Sequence, residues 1–144
     1  MKKWSSKRCA VIMILTALMV LSVGVVWADE AVTVSFYVVV PERTPADEPI
    51  YMGANFNGWD PGGTLLEKVG ENVWRLDMEF SEQTNVQYKY TRGDWERVEK
   101  GPLKEEISNR TFTVTDRGDG RMAIVDYVPT WRDEERRDDI IGVQ

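Results

Sequence analysis

The sequence predicts an all-β domain, an antiparallel immunoglobulin-like β-sandwich of seven or eight strands. Short runs in which apolar and polar residues alternate recur between residues 32 and 128, as expected of strands with one buried face. Gly, Pro, Asn and Asp, which favour tight turns, separate these runs. No segment after residue 28 has a convincing helical repeat, so the alternation decides the fold class.

The first part of the domain contains two predicted strands and a turn. Residues 32–40 carry Val or Phe at every second position, which predicts a first strand with one face in the core. Residues 41–49 form a polar loop that begins and ends with proline. Residues 50–53 are a short strand that leads into the Asn57-Gly58 turn.

The middle of the domain contributes three further predicted strands. Every second residue from Trp74 to position 80 is apolar, so Trp74 is predicted to lie in the core. Lys89 stands between two tyrosines of the next strand, and strand parity places it on the opposite, outward face. A turn at 93–94 then leads into a predicted strand over 95–100.

The last part of the domain is predicted to be a hairpin. Residues 112–114 and 122–128 are its strands, and the Asp- and Gly-rich residues 116–120 are its turn. Trp131 is expected to close one end of the sandwich. Residues 132–144 begin with a dense mixture of acidic and basic side chains, which predicts a solvated charged tail.

The amino-terminal segment is predicted to be an export signal. Residues 1–28 begin with four basic residues, continue as an apolar run over 9–27 and end at the small residue Ala28, the pattern of a cleaved signal peptide. An uncleaved anchor is the alternative, since the run approaches the length of a membrane span. Either way residues 29–131 form a domain that is secreted or periplasmic. Its stability cannot rest on disulfides, because Cys9 is the one cysteine.

Composition restricts the function classes. Without the leader, 14 basic residues face 24 acidic ones, a net charge of −10, which disfavours nucleic acid and anionic lipid and suits a neutral partner. The chain has no histidine, so it can assemble neither a Ser-His-Asp triad nor a histidine zinc site. Paired carboxylates for glycoside hydrolysis remain open by counting alone, but a sandwich of this size leaves no deep cleft. We therefore expect a binding domain rather than an enzyme, and no cofactor.

Two tryptophans in predicted turns are the candidate ligand contacts. Trp59 follows the Asn-Gly turn, and Trp95 follows a Gly-Asp pair. An indole in a turn is exposed, and a flat apolar ring in water indicates a ligand that covers it. The apolar face of a glucose ring is such a ligand. The alternatives are that Trp59 only covers the end of the sandwich, and that strand parity turns Trp95 inward.

Residues 32–131 resemble the starch-binding domains of carbohydrate-binding module family 20, and also the related glycogen-binding module of AMP-activated protein kinase β-subunits. Trp59, Lys89 and Asn109 fall where these families keep a platform tryptophan, a lysine and an asparagine that hold α-glucan. The resemblance implies a β-sandwich that binds starch or glycogen by tryptophan stacking.

The resemblance breaks at one position. Where the starch-binding pattern has Val-Glu-Trp, this chain has Val98-Glu99-Lys100, so a second platform must come from elsewhere. Trp95 stands two residues after the hairpin glycine, which is the glycogen-binding pattern. We expect Trp95 to supply this platform, and Lys89, Glu99 and Asn109 to bond the 2- and 3-hydroxyls of glucose.

The sequence thus predicts a secreted, non-catalytic domain that binds α-glucan. Two alternatives stay open. The same sandwich could dock a partner protein through its exposed aromatic residues or its charged tail. It could also be the binding fragment of a secreted glucan-active enzyme, to which such modules are often attached.

Overall fold

The computed structural model describes residues 31–134. The predicted leader (1–28), its cleavage site and most of the predicted tail lie outside this range. Within it no helix is long and apolar enough to cross a membrane; the helical elements are two short 3₁₀ turns, Asn55–Asn57 and Trp95–Arg97. The strands are β1 (Ala31–Val39), β2 (Tyr51–Ala54), β3 (Glu67–Lys68), β4 (Val73–Ser81), β5 (Asn85–Thr91), β6 (Glu99–Lys100), β7 (Arg110–Thr113), β8 (Arg121–Tyr127) and β9 (Thr130–Trp131).

The predicted β-sandwich is confirmed. One sheet has the strand order β3-β4-β1-β8, the second has the order β2-β5-β7, and β6 pairs with β9 in a small third sheet. The described residues form nine strands rather than the expected seven or eight, because three of these strands are pairing segments only two residues long. Such short segments carry too little alternation to be recognised in a sequence.

The final hairpin is a wrong prediction. β7 pairs with β5 in one sheet, whereas β8 pairs with β1 in the other and runs parallel to it. The segment between β7 and β8 therefore crosses from sheet to sheet. Asp116 organises this crossing, because its Oδ1 accepts hydrogen bonds from the amides of Gly118 and Gly120 at 2.8 and 2.9 Å. These bonds hold the pKa of the Asp116 carboxyl below its ordinary value.

The predicted inward faces are confirmed. The alternate apolar residues of β1 are buried, and so is Trp74 in β4, which is 3% exposed. In β5 the side chains of Tyr88 and Tyr90 are buried, and Lys89 between them is only partly buried and on the other face. Trp131 is also buried, and its indole nitrogen donates to the Thr44 hydroxyl at 2.9 Å.

A buried polar network joins the three sheets around Arg110 of β7. Its guanidinium donates to Glu99 of β6 at 2.7 Å and to Asp126 of β8 at 2.9 Å. Asp126 also accepts the hydroxyls of Tyr88 and Tyr90, at 2.7 and 2.9 Å. Burial opposes the charge of Arg110, but its hydrogen bonds with Glu99 and the charges of both carboxylates outweigh it and raise its pKa.

The two phenols of this network stay neutral. Burial, reinforced by the Asp126 carboxylate, raises the pKa of both Tyr88 and Tyr90 above the ordinary value. Each phenol therefore remains a hydrogen-bond donor, and its donation satisfies a carboxylate that packing has removed from bulk water. The network fixes how the sheets sit on one another and so where their outer faces lie.

Candidate functional site

The turn that carries Trp59 is held by its own side chains. Asn57 accepts the Ala54 amide at 2.9 Å and donates to the Met52 carbonyl at 2.8 Å. Gly58 and Trp59 then both adopt the left-handed region, with φ of 71° and 61°. A bulky residue in that region is a strained outlier, and such outliers concentrate at functional sites. Trp59 follows β2 and the 3₁₀ turn after it, and its indole is half-buried.

Trp95 does not begin a strand as predicted. It begins the 3₁₀ turn Trp95–Arg97, because Asp94 caps that turn by accepting the Arg97 amide at 3.0 Å. The extended segment is thereby reduced to the two residues of β6. The Trp95 side chain is 36% exposed, so a flat apolar surface remains open to solvent.

Ion pairs fix the Trp95 turn on both sides. Arg97 pairs with Asp94 at 2.9 Å and also with Glu48 of the 41–49 loop. Arg92, which is buried, pairs with Glu48 at 3.3 Å and with Asp133. The hydrogen bond from Arg97 holds the pKa of Asp94 below its ordinary value. Glu48 thus joins the two arginines that bracket Trp95.

The first residues of the predicted tail belong to this arrangement. The Arg132 guanidinium lies 3.5 Å from the Trp95 carbonyl, and its backbone amide donates to the Val98 carbonyl at 2.9 Å. Glu134 pairs with Arg43 at 2.6 Å. Residues 132–134 are therefore attached to the sandwich, although Arg132 and Asp133 stay exposed. The predicted tail beyond them lies outside the described residues.

Trp95, the Trp59 turn and Lys89 meet at Gly53. The Trp95 ring lies so close over Gly53 that atoms Cη2 and Cζ2 would be 2.8 and 3.2 Å from a β-carbon there. The carbonyl of Asp60, next to Trp59, would be 3.4 Å from the same point. Gly53 is paired with Lys89 across the β2-β5 ladder. Only glycine admits the indole here, and the indole consequently lies on the outer face of the sheet.

Lys89 and Asn109 are connected through the loop before β7. The ammonium of Lys89 donates to the Ile107 carbonyl at 2.7 Å. Asn109 follows two residues later and is exposed. Trp95 and Lys89 thus lie together on the outer side of the β2-β5-β7 sheet, and the turn that carries Trp59 and the loop that carries Asn109 adjoin them.

The prediction for Glu99 is corrected by the structure. Its side chain is fully buried, with 0% exposed. One carboxylate oxygen accepts a hydrogen bond from the Tyr90 amide at 3.0 Å, and the other accepts one from the Arg110 guanidinium at 2.7 Å. Glu99 faces the interior because Arg110, eleven residues away in sequence, meets it there. It has no exposed atom to offer a sugar hydroxyl and belongs to the polar network.

Gly53 and Glu48 were missed by the sequence reasoning. A glycine within a strand signals close approach of another group, so the sequence contains a signal for Gly53, although position 53 also fits the end of a short strand. Glu48 gave no signal, since one acidic residue in a polar loop does not indicate its partners. Its two arginines lie more than forty residues further along the chain.

Known amylolytic enzymes contain a short region similar to this chain, although no protein-family profile matches it. An amylopullulanase of Thermoanaerobacter thermohydrosulfuricus is 38% identical over 104 residues, which cover 71% of this chain and 7% of that protein. An alpha-amylase of Niallia circulans is 32% identical over 107 residues, which cover 73% of this chain and 8% of that protein. The chain thus spans less than a tenth of these relatives.

Solved structures share the fold. A glycoside hydrolase family 15 glucoamylase from Hypocrea jecorina superposes with a TM-score of 0.54 at 20% identity, over 72% of this chain and 17% of that one. At this identity the likeness supports the β-sandwich alone. The region that carries Trp59 and Trp95 is therefore similar in sequence to parts of amylolytic enzymes and similar in fold to part of a glucoamylase.

Proposed function

We propose that residues 31–134 form a non-catalytic domain of the starch-binding type that binds α-glucan through Trp59, Trp95, Lys89 and Asn109. The observation that carries this proposal is the Trp95 indole seated on Gly53. A ring held there lies beside Lys89 and close to the Trp59 turn, and we propose that one of its flat faces takes the ligand. Glucose rings stack on such faces through dispersion and the ring quadrupole.

The polar groups of the proposed site suit a neutral sugar. Lys89 supplies ammonium donors, and Asn109 supplies an amide that both donates and accepts. Hydroxyls of glucose can pair with both. The two indoles belong to different turns, so each would take its own glucose of a curved chain. A neutral glucan also avoids repulsion by the acidic surface that the composition indicates.

The relatives support a role beside a catalytic domain. The similar region is under a tenth of proteins named amylopullulanase and alpha-amylase, which is the proportion expected of an attached binding domain. We propose that this chain likewise delivers glucan to an attached or associated glucan-active enzyme. Export from the cell by residues 1–28 is part of the same proposal, because it would bring the domain to starch outside the cell.

Selective retention by polysaccharides tests the function. We expect the purified chain to bind insoluble starch and to be released by β-cyclodextrin, a rigid mimic of the glucan turn. Cellulose should not retain it, because a flat ribbon cannot bring adjacent glucoses onto indoles of two separate turns. Equal retention on starch and cellulose would contradict the geometric basis of the proposal. Retention on neither would favour a protein-docking domain.

The contribution of each platform can be measured by substitution. Trp59→Ala and Trp95→Ala should each weaken β-cyclodextrin binding by about 1–3 kcal/mol, taking base-on-aromatic stacking as the nearest calibrated case. Isothermal titration measures the affinities, and circular dichroism checks the fold. Trp74→Phe is the matched control, since it changes a buried indole far from solvent. If Trp95→Ala binds as tightly as the unmodified chain, Trp95 has to be removed from the site.

A further inference from the structure

Lys100 and Glu106 form an ion pair where the starch-binding pattern departs from its usual sequence. Lys100 stands at the position of the pattern's second tryptophan, and its side chain is buried with 5% exposed. Its ammonium contacts Oε1 of Glu106. The Glu106 side chain is 74% exposed, so the pair consists of a buried cation that holds an exposed carboxylate.

Strand register places this pair on the face that carries the candidate site. Thr91 and Val98 form an antiparallel bridge that brings β6 alongside β5, and Lys100, the residue after the buried Glu99, projects to the outer face that carries Lys89. The neighbour of Lys89 in β2 is Gly53, the seat of Trp95. Paired residues of adjacent strands project to the same face of a sheet.

A second contact brings Glu106 itself next to Lys89. The ammonium of Lys89 donates to the carbonyl of Ile107 at 2.7 Å, and Ile107 is the next residue in the chain after Glu106. Glu106 therefore lies across Lys89 from the Trp95 indole. Its Oε2 has no hydrogen-bond partner among the described residues.

The four residues proposed for the site, Trp59, Trp95, Lys89 and Asn109, include no charged acceptor. Each sugar hydroxyl can donate one hydrogen bond. The Lys89 ammonium cannot accept that bond, and the Glu99 carboxylate is buried out of reach of a ligand. We propose that Glu106, positioned by Lys100, accepts a hydrogen bond from a glucose hydroxyl of the bound glucan. This inference rests on the proposed function and extends its site to a residue and an ion pair that the starch-binding pattern does not contain.

The local charges favour this role. The hydrogen bond from Lys100, together with the positive charges of Lys100, Lys89 and Arg132, holds the pKa of Glu106 below its ordinary value. The carboxylate is therefore ionised and can only accept hydrogen bonds. A charged acceptor forms stronger hydrogen bonds than an amide does, so the Glu106 carboxylate should add measurably to the affinity for glucan.

Titration of variants with β-cyclodextrin tests the pair. Glu106→Ala should weaken binding about tenfold, whereas Glu105→Gln should bind like the unmodified chain, because it removes a charge from the same loop but keeps the acceptor for the Leu103 amide. Lys100→Met should weaken binding less than Glu106→Ala does. The double variant Glu106→Ala, Lys100→Met should be no weaker than Glu106→Ala alone, as expected if Lys100 acts through Glu106.

Methylated ligands show whether the carboxylate meets a hydroxyl. β-Cyclodextrins methylated at O2, O3 or O6 each remove one class of donor. The loss caused by Glu106→Ala should persist with two derivatives and vanish with the third. A loss of the same size with all three would overturn the assignment, and so would tight binding by Glu106→Ala. An unmodified chain that binds no cyclodextrin would instead contradict the proposed function itself.

Discussion

Trp74→Ala should lower the free energy of unfolding by about 3–5 kcal/mol. Trp74 is 3% exposed and lies between two strands, paired with Val38 of β1 and Lys68 of β3. The Lys68 ammonium also lies over its ring, 5.0 Å from the centroid. Alanine would leave a cavity in the core, and the packed neighbours can relax only partly into it. Urea unfolding at constant m-value measures the loss.

The matched control for Trp74→Ala is Trp59→Ala. Trp59 is a half-buried residue of a turn, so its replacement should change the unfolding free energy much less while it weakens glucan binding. If instead Trp59→Ala unfolds the domain and the molecules that remain folded bind glucan normally, Trp59 is a packing residue and the site is misplaced.

Glu99→Ala should also destabilise the fold, by about 3–5 kcal/mol. The fully buried carboxylate accepts Arg110 at 2.7 Å and the Tyr90 amide at 3.0 Å. Its removal would leave the Arg110 charge paired with Asp126 alone among the two carboxylates of the network. The buried amide of Tyr90 would also lose its acceptor. Thermal and urea unfolding would both register this loss.

A neighbouring acidic residue serves as the control. Glu96 is exposed, and its carboxylate is 3.6 Å from Arg132, so Glu96→Ala should change stability by no more than about 0.5 kcal/mol. Should Glu99→Ala be as stable as the unmodified chain and yet lose glucan binding, Glu99 would be a ligand residue and its burial in the network would be wrong.

The faces of the longer strands could be predicted from sequence because strand parity is a local property. Buried positions alternate with more exposed ones along β1 and from Asn85 to Tyr90 in β5, and the same parity that buries Tyr88 and Tyr90 puts Lys89 outside. Trp74 was assigned to the core by the same reasoning. In each case, the residues on either side are sufficient to decide which way a side chain points.

Strand partners and side-chain partners could not be predicted in this way. β7 and β8 read as a hairpin, but each has a more distant partner, β5 and β1. Glu99 reads as a surface residue until Arg110 is known to lie inside the sandwich. The cap from Asp94 turns the segment at Trp95 into a 3₁₀ turn, so the strand predicted over 95–100 is reduced to the two residues of β6.

The indole resonances of the chain test most directly whether glucan binds at Trp59 and Trp95. The four tryptophans of the described domain are Trp59, Trp74, Trp95 and Trp131, and substitution assigns each indole N–H signal in a nitrogen-15 correlation spectrum. During titration with β-cyclodextrin we expect the signals of Trp59 and Trp95 to shift and those of the buried Trp74 and Trp131 to stay in place. Saturable binding that leaves the Trp59 and Trp95 signals unmoved would contradict the proposed site.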